Sequence, residues 1–475
     1  MISRLPLALL LALPLALWGC TKPPGEDIAI ENVTIIDPVS GRADAQRVVV
    51  TNGRIVGVAP MSEPAPSTRE TLDAAGHFLI PGLWDMHVHF LYEPALTDLM
   101  SDLFLDYGIT SVRDTGGDLA QLRALRERMT NDDAPEPRLY FSGPLLDGRF
   151  VVYDGGDPGR PKLGTGIPDE ALARQYVREL LAAGADFIKI YELVDPEVYR
   201  VLADEARALG LPIASHVPLL MTADQAGPMA DSMEHLRNLE LACAANWQEL
   251  LATRQQIVRE FVEGRGYDLR SSLHSLQRVP AIQAYDEARC DEVLAMLTST
   301  IQVPTLRLNT VAIVQPFQHP DWPRALAALP EPVRRAWQAQ ADAYRDAAPT
   351  ADRTFSDWSR FLVGRLKAHG VPIGAGTDTP IGIGIPGWSL HTELEQLVDA
   401  GLTPLEAIYA ATVQAAGFLH LEHEMGRILP GMRADLVLLE DDPLADIRNT
   451  RRIERVMLDG RWVRERRFQG NVRSI

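Results

Sequence analysis

His87 and His89 stand two residues apart at the end of the apolar run Phe78-Leu79-Ile80-Pro81-Gly82-Leu83-Trp84-Asp85-Met86. Strand side chains alternate between faces, so both imidazoles share one face and can reach a single metal ion. Alone, such a pair is more often an ordinary hydrogen-bonded or surface pair. Four further apolar runs, however, also finish on a group able to bind a cation. They are Lys189 in Phe187-Ile188-Lys189-Ile190-Tyr191, His216 after Ile213-Ala214-Ser215, His235 after Ser232-Met233-Glu234, and Asp378 after Gly374-Ala375-Gly376-Thr377. Lysine and aspartate inside apolar strands are costly to bury unless paired, coordinated or shifted in pKa. Each of these residues by itself is as readily a satisfied core group. Together, at successive strand ends of one barrel, they would converge on its mouth, which points to metal chemistry. The chain has 3 cysteines and no Cys-x-x-Cys pattern, so the metal set rests on histidine, lysine and aspartate.

The elements that must position these residues alternate apolar strand-like runs with helices, as a parallel α/β fold requires. Candidate strands cover 82–89, 109–114, 138–142, 186–191, 212–216, 231–235, 301–305 and 372–378. That is the number a closed (β/α)₈ TIM-like barrel needs, here spanning 81–421. Residues 28–80 and 422–475 carry β-rich runs, with Asn52-Gly53 and Asp459-Gly460 as hairpin turns, and are expected to pair into one small β-sandwich domain built from both chain ends. Asp195-Pro196 with Gly210, and Thr403-Pro404-Leu405-Glu406, punctuate two helices without catalytic meaning. Segments 143–168, about 236–300 and 306–371 are too long for simple connections, and the last two are helical in pattern. Such insertions either roof the site and shape substrate choice or serve as packing and dimer surfaces.

The chain's 475 residues, 46% hydrophobic and 23% charged, suffice for one large barrel plus a smaller domain. A net charge of -18 argues against a nucleic-acid surface, which needs concentrated Lys and Arg. Residues 1–19 read as an export signal: Arg4, then an apolar run over 5–18 too short to span a bilayer, then Gly19-Cys20. Leu17-Trp18-Gly19-Cys20 resembles a bacterial lipobox, although Trp18 departs from the small residue usual there. The resemblance implies cleavage before Cys20, lipid attachment to it, a tether over 20–27, and a protein of the bacterial cell envelope facing the periplasm. An exported compartment would permit a disulfide between Cys243 and Cys290, whose pairing the sequence leaves open.

Pro81-Gly82-Leu83-Trp84-Asp85-Met86-His87-Val88-His89, Thr110-Ser111-Val112-Arg113-Asp114, Asp186-Phe187-Ile188-Lys189-Ile190, Met233-Glu234-His235, Gly376-Thr377-Asp378 and Gly431-Met432-Arg433-Ala434-Asp435-Leu436 carry a resemblance over nearly the whole chain after Cys20. The sequence resembles the metal-dependent amidohydrolase superfamily, especially its imidazolonepropionase-like and prolidase-like branch. That resemblance implies two divalent ions: His87, His89 and Asp378 holding the more buried one, His216 and His235 the more exposed one, and a carboxylated Lys189 bridging both. An unmodified Lys189 is the alternative. The donors suit zinc best, with manganese, cobalt or iron as alternatives. By the same resemblance, a metal-bridging hydroxide attacks an amide-type carbonyl in a dipeptide or N-acyl amino acid, and Asp378 carries the proton to the departing nitrogen.

Tyr191 could donate to the carbonyl oxygen or to a substrate carboxylate, or pack as a core aromatic. Arg113, Arg237 and Arg307, near strand ends, could capture a substrate carboxylate, although a structural ion pair is the commoner use of each. His391 reads as a supporting or packing residue, and His77, His274, His319, His369, His420 and His423 as structural. The same site could serve an esterase or lactonase, and a non-catalytic lipoprotein binding a metal or solute is the reading from another class. The partners expected are a small-molecule substrate and, through Cys20, a membrane; self-association into a homo-oligomer is left open.

Overall fold

The computed structural model describes residues 28–131, 134–157, 159–347, 351–467 and 471–474; the expected export signal, Cys20 and tether lie outside them. Seven strands run parallel through the middle of the chain, and every one is buried or nearly so along its length, as strands covered on both faces are. Leu83–Val88 pairs with Ile109–Asp114, which pairs with Arg138–Phe141. Ile188–Ile190, Ile213–Ser215, Ser232–Glu234 and Ile301–Val303 pair in that order. The amide of Asp186 donates to the carbonyl of Phe141 at 2.9 Å, joining the two sets.

The eighth expected strand is not one. Segment 372–379 touches its neighbours through isolated parallel bridges, Gln302 to Ile373 and Val88 to Thr379. Its ladder is interrupted by a side chain: the buried Asp85 carboxylate accepts the Thr377 amide at 3.0 Å and the Thr377 hydroxyl at 2.6 Å, bonds a neighbouring backbone would otherwise take. The segment is also squeezed. A Cβ on Gly376 would lie 2.7 Å from Val303 Cγ1 and 2.8 Å from His87 Cβ, so glycine lets the chain pass directly behind His87.

Segment 143–168, read from sequence as a loop, contains two short strands, Leu145–Asp147 and Gly164–Gly166, which extend the second parallel sheet beyond Ile188–Ile190. Three-residue strands carry no periodic signal, which explains why pattern reading passes over them. The carboxylate of Asp147 anchors them, accepting the amides of Gly148, Val152 and Leu193.

Strands from both chain ends pair in one nine-stranded sheet, where a β-sandwich was expected. Its order runs Asn471–Ser474, Arg461–Arg467, Ile453–Leu458, Leu436–Leu439, Phe78–Pro81, Ile28–Asp37, Gly41–Thr51, Arg54–Pro60, with Glu70–Asp73 against Ile28–Asp37. Bulges after Ile30 and Val33 kink the long strand, and the sheet buries an apolar core of its own that includes Ile30, Val48, Ile55, Leu436 and Met457. The left-handed turns at Asn52-Gly53 and Asp459-Gly460 abut, so closely that a Cβ on Gly460 would sit 2.9 Å from the Gly53 Cα. This sheet leads straight into the site. Phe78–Pro81 pairs with Leu436–Leu439, Gly82 donates to Asp435 at 2.7 Å, and Leu83–Val88 follows at once.

Helices Trp247–Glu260, Gly266–Gln283 and Glu287–Ala295 fill the first long insertion, and Trp322–Ala327, Glu331–Ala347 and Thr354–Ala368 the second. Among the described residues no helix is long and apolar enough to cross a membrane. Cys243 and Cys290, both fully buried, form a disulfide that closes the first insertion at its base. Closing a loop with a sequence separation of 47 constrains the unfolded chain by about 4 kcal/mol on the chain-entropy relation. The Cys243→Ser/Cys290→Ser double variant is therefore expected to lose about 2–4 kcal/mol of stability, read from urea unfolding with the slope of the transition compared to wild type.

Candidate metal centre

The C-terminal ends of the parallel strands, with segment 372–379, bring His87, His89, Lys189, His216, His235 and Asp378 into the wall of one cavity, together with Leu145, Tyr153, Leu163, Tyr191, Arg237 and Ile381. All six expected ligands are buried, none more than 4% exposed. His87, His235 and Asp378 offer donor atoms within 4.8 Å of one another, and the rings of His87 and His216 centre 4.5 and 4.8 Å from that of His235. Backbone strain concentrates here: His235, Thr305 and Asp378 are all left-handed, with φ of 64°, 47° and 59°. Each costs on the order of 1–3 kcal/mol and persists because the surrounding strands over-determine it.

The far side of each imidazole is occupied. His89 Nδ1 lies 3.1 Å from the Gly116 carbonyl, which can only accept, so Nδ1 carries a proton and Nε2 is turned toward Asp378. His87 Nδ1 meets Glu234 Oε2 at 2.7 Å, His216 Nδ1 meets Glu192 Oε1 at 2.8 Å, and His235 Nδ1 meets Thr305 Oγ1 at 2.7 Å. Carboxylates on Nδ1 fix the same tautomer in His87 and His216. Burial pushes the His216 imidazole down to about 3 and that of His235 well below its usual value, so both are neutral at any ordinary pH, the form that binds a cation.

Two further groups fit a cation site. Asp378 Oδ1 contacts His89 Nε2 at 3.1 Å and His87 Nε2 at 3.4 Å without hydrogen-bond alignment, and is among the buried oxygens with no hydrogen-bond partner. The Lys189 amine is likewise buried and without a partner, and burial pushes it down to about 8 against the pull of Glu234. A buried carboxylate oxygen and a buried amine left unsatisfied beside four imidazoles are placed where a cation could engage them. Imidazole nitrogens and anionic oxygen are the donors a divalent transition metal takes.

The three arginines part company. Arg113 does not line the cavity. It is 1% exposed, donates to the Met86 carbonyl, to Ser232 Oγ at 3.0 Å and to Glu234 Oε1 at 2.7 Å, and lies 4.2 Å from the Phe418 ring centre. It therefore fixes the carboxylate behind His87 rather than meeting a substrate. Arg307 is also absent from the wall; it donates to the carbonyls of Thr377, Asp378, Ile381 and Gly382 and so moulds the turn that presents Asp378. Arg237 alone of the three faces the cavity. Tyr191 faces it too, its ring 4.4 Å from that of His216. His391 bridges Thr450 Oγ1 and the Tyr107 carbonyl, a packing role.

Sequence reasoning missed Glu192 and Glu234, the two carboxylates that orient His216 and His87. Each directly adjoins a singled-out residue, Tyr191 and His235, and an acid beside a candidate site residue in an apolar run is the signal that could have found them. Burial opposes ionisation of Glu234, but Arg113, Lys189 and His87 outweigh it and hold the carboxyl well below its usual range. Read as structural from sequence, His274 donates to Glu192 as well.

A model of the amidohydrolase family matches residues 347–463. An adenine deaminase of Desulforamulus reducens is 28% identical over 420 residues, which cover 87% of this chain and 54% of that protein, so this chain spans about half the length of that relative. An ochratoxinase of Aspergillus niger is 41% identical over 87 residues, 18% of this chain and 17% of that protein. Among solved structures, a bottromycin amidohydrolase superposes with a TM-score of 0.66 at 24% identity, covering 92% of this chain and 87% of that one. A Xaa-Pro dipeptidase with methionine bound in its active site superposes at 0.65 with 18% identity, covering 92% and 99%. These structures show the fold, a mixed α/β architecture of parallel strands with an accompanying β-sheet domain. The likeness to the amidohydrolase family in sequence rests on residues 347–463.

Two outcomes check this geometry. Arg113→Leu leaves Glu234 buried without its cation and is expected to cost about 3–5 kcal/mol in urea unfolding. A substrate contact would instead raise KM in a protein of unchanged stability. Gly376→Ala drives a methyl group against Val303 and His87 and is expected to cost about 1–3 kcal/mol and to lower zinc affinity, read by calorimetric titration of chelator-stripped protein.

Proposed function

We propose that this chain is a metal-dependent hydrolase that cleaves an amide-type C–N bond in a small substrate bearing a carboxylate, such as a dipeptide or an N-acyl amino acid. The observation that carries the reading is the convergence of four imidazoles, engaged on Nδ1 from behind, with the Asp378 carboxylate and an unpartnered Lys189 amine on one cavity. The match of residues 347–463 to the amidohydrolase family model supports the C–N bond as the target. In this reading His87, His89 and Asp378 serve one ion, His216 and His235 a second, and a carboxylated Lys189 both, with zinc best suited to the donors. Such ions, when bound, polarise a scissile carbonyl and make water more acidic.

The chain's own residues supply the rest. Asp378 takes the proton that the attacking water loses and delivers it to the departing nitrogen. Lys189, pushed down to about 8, loses its proton more readily than a surface lysine, and the neutral amine can add to carbon dioxide with release of a proton to give a carbamate whose two oxygens would serve a cation. Arg237 supports a carboxylate on the substrate. Its Nε is buried without a hydrogen-bond partner, and the nearest acid, Glu192 at 3.7 Å, is already engaged by Arg270, His274 and His216. Tyr191, on the same wall, donates to the carbonyl oxygen or to that carboxylate.

The same proposal takes the parallel strands and segment 372–379 as a closed (β/α)₈ barrel over 81–421, and 28–80 with 422–475 as its small β-domain. It takes 1–19 as an export signal, and lipid on Cys20 as an anchor in a bacterial cell envelope facing the periplasm. Zinc-reloaded protein is expected to hydrolyse members of a dipeptide and N-acyl amino acid panel, and Asp378→Asn to lower kcat about 10²–10⁴-fold while zinc is retained. Hydrolysis confined to esters or lactones, or undiminished turnover by the Asp378→Asn protein, would overturn the reading.

A further inference from the structure

The helix Gly266–Gln283 belongs to neither the parallel strands nor the two-ended sheet, yet it reaches the metal centre. From it, Arg270 donates through Nε and Nη2 to Glu192 Oε1 at 3.2 and 3.0 Å. His274 Nε2 lies 2.5 Å from Glu192 Oε2. Arg278, one turn further along, donates to His274 Nδ1 at 3.1 Å; a guanidinium cannot accept, so Nδ1 is the bare nitrogen and the proton sits on Nε2, aimed at Glu192. The remaining donor to that carboxylate is His216 Nδ1. Glu192 and His216 are 0% and 1% exposed, and Arg270 and His274 8% and 6%, so no water competes for these bonds.

Glu192 is thus held on one side by the inserted helix and on the other holds His216. Stripped of Arg270 and His274, the buried carboxylate would keep a single imidazole donor and turn toward the Arg237 guanidinium, whose Nη1 already lies 3.7 Å from Glu192 Oε1. His216 would then lose the bond that sets its ring plane and tautomer. The Cys243–Cys290 disulfide ties together the flanks of the same insertion, which limits how far the helix can move away.

We propose that Gly266–Gln283 is a positioning element for the metal centre, in which Arg270 and His274 hold Glu192 in the orientation that fixes His216, so that cation binding on the His216 side depends on a helix outside the parallel strands. The inference rests on the reading of His216 as a ligand and adds to it two positioning residues that touch neither metal nor substrate.

The test titrates zinc calorimetrically into chelator-stripped full-length protein, wild type and four variants: Arg270→Met, His274→Ala, His274→Gln and the control His216→Ala, each checked for fold by circular dichroism. Arg270→Met and His274→Ala are expected to weaken the same zinc-binding step that His216→Ala weakens, about 10–100-fold, leaving any step that His216→Ala spares at wild-type affinity. His274→Gln, whose amide can still donate to Glu192, is expected to recover most of that loss. Should His216→Ala weaken zinc while Arg270→Met and His274→Ala bind it as wild type does, the positioning role falls and the ligand reading stands. Should His216→Ala bind zinc as wild type does, the ligand reading falls and the positioning role with it. If Arg270→Met fails to fold, the contrast between His274→Ala and His274→Gln decides: equal weakening in both overturns the proposal.

Discussion

Four buried imidazoles must be kept dry, close together and turned so that they face one space. Everything around the cavity answers to that demand. A ring buried among apolar strands has no water to orient it, so an acceptor has to stand behind each Nδ1: Gly116, Glu234, Glu192 and Thr305. Two of those acceptors are carboxylates, and a buried carboxylate in turn needs cationic donors. Arg113 serves Glu234, and Arg270 with His274 serves Glu192. The polar network is thus layered outward, each layer present because the one inside it is buried.

A separate arrangement presents Asp378. Its left-handed backbone follows a segment that gives up regular pairing to the Asp85 carboxylate. One guanidinium, that of Arg307, gathers four carbonyls of the turn, while Glu393 accepts the Leu306 and Arg307 amides from below. Burial pushes Asp85 up to about 7 and Glu393 up to about 8, marking how far this region lies from solvent. The side chain opposite His87 is therefore held by backbone geometry rather than by its own hydrogen bonds.

Much of this was legible before any coordinates. Apolar runs ending in His, Lys or Asp announce the buried segments that meet at one cavity, because both the burial and the chemistry are written in residue types. What a charged residue pairs with is not. Arg113, Arg237 and Arg307 look alike in sequence, yet one braces a carboxylate, one faces the cavity and one gathers carbonyls, because partner choice depends on packing between segments far apart in the chain. Glu234 escaped notice for a more local reason: in a regular strand it would point away from its neighbour His235, and only the left-handed turn at His235 lets both act on the same site. The short strands Leu145–Asp147 and Gly164–Gly166 were invisible for want of length, and 372–379 looked like a strand because its composition hides the bonds that Asp85 takes from it.

The pairing of Phe78–Pro81 with Leu436–Leu439 has a consequence for how the molecule comes into being. The platform that leads into His87 and His89 is completed by Leu436–Leu439, far along the chain, so a chain emerging from the ribosome cannot finish it until that segment has been made. Contacts of such separation are entropically slow to form. The gathering of His87 and His89 with Asp378 on one cavity is thereby deferred until late in folding, and a product truncated before Leu436 would carry these side chains without the strand that pairs with Phe78–Pro81.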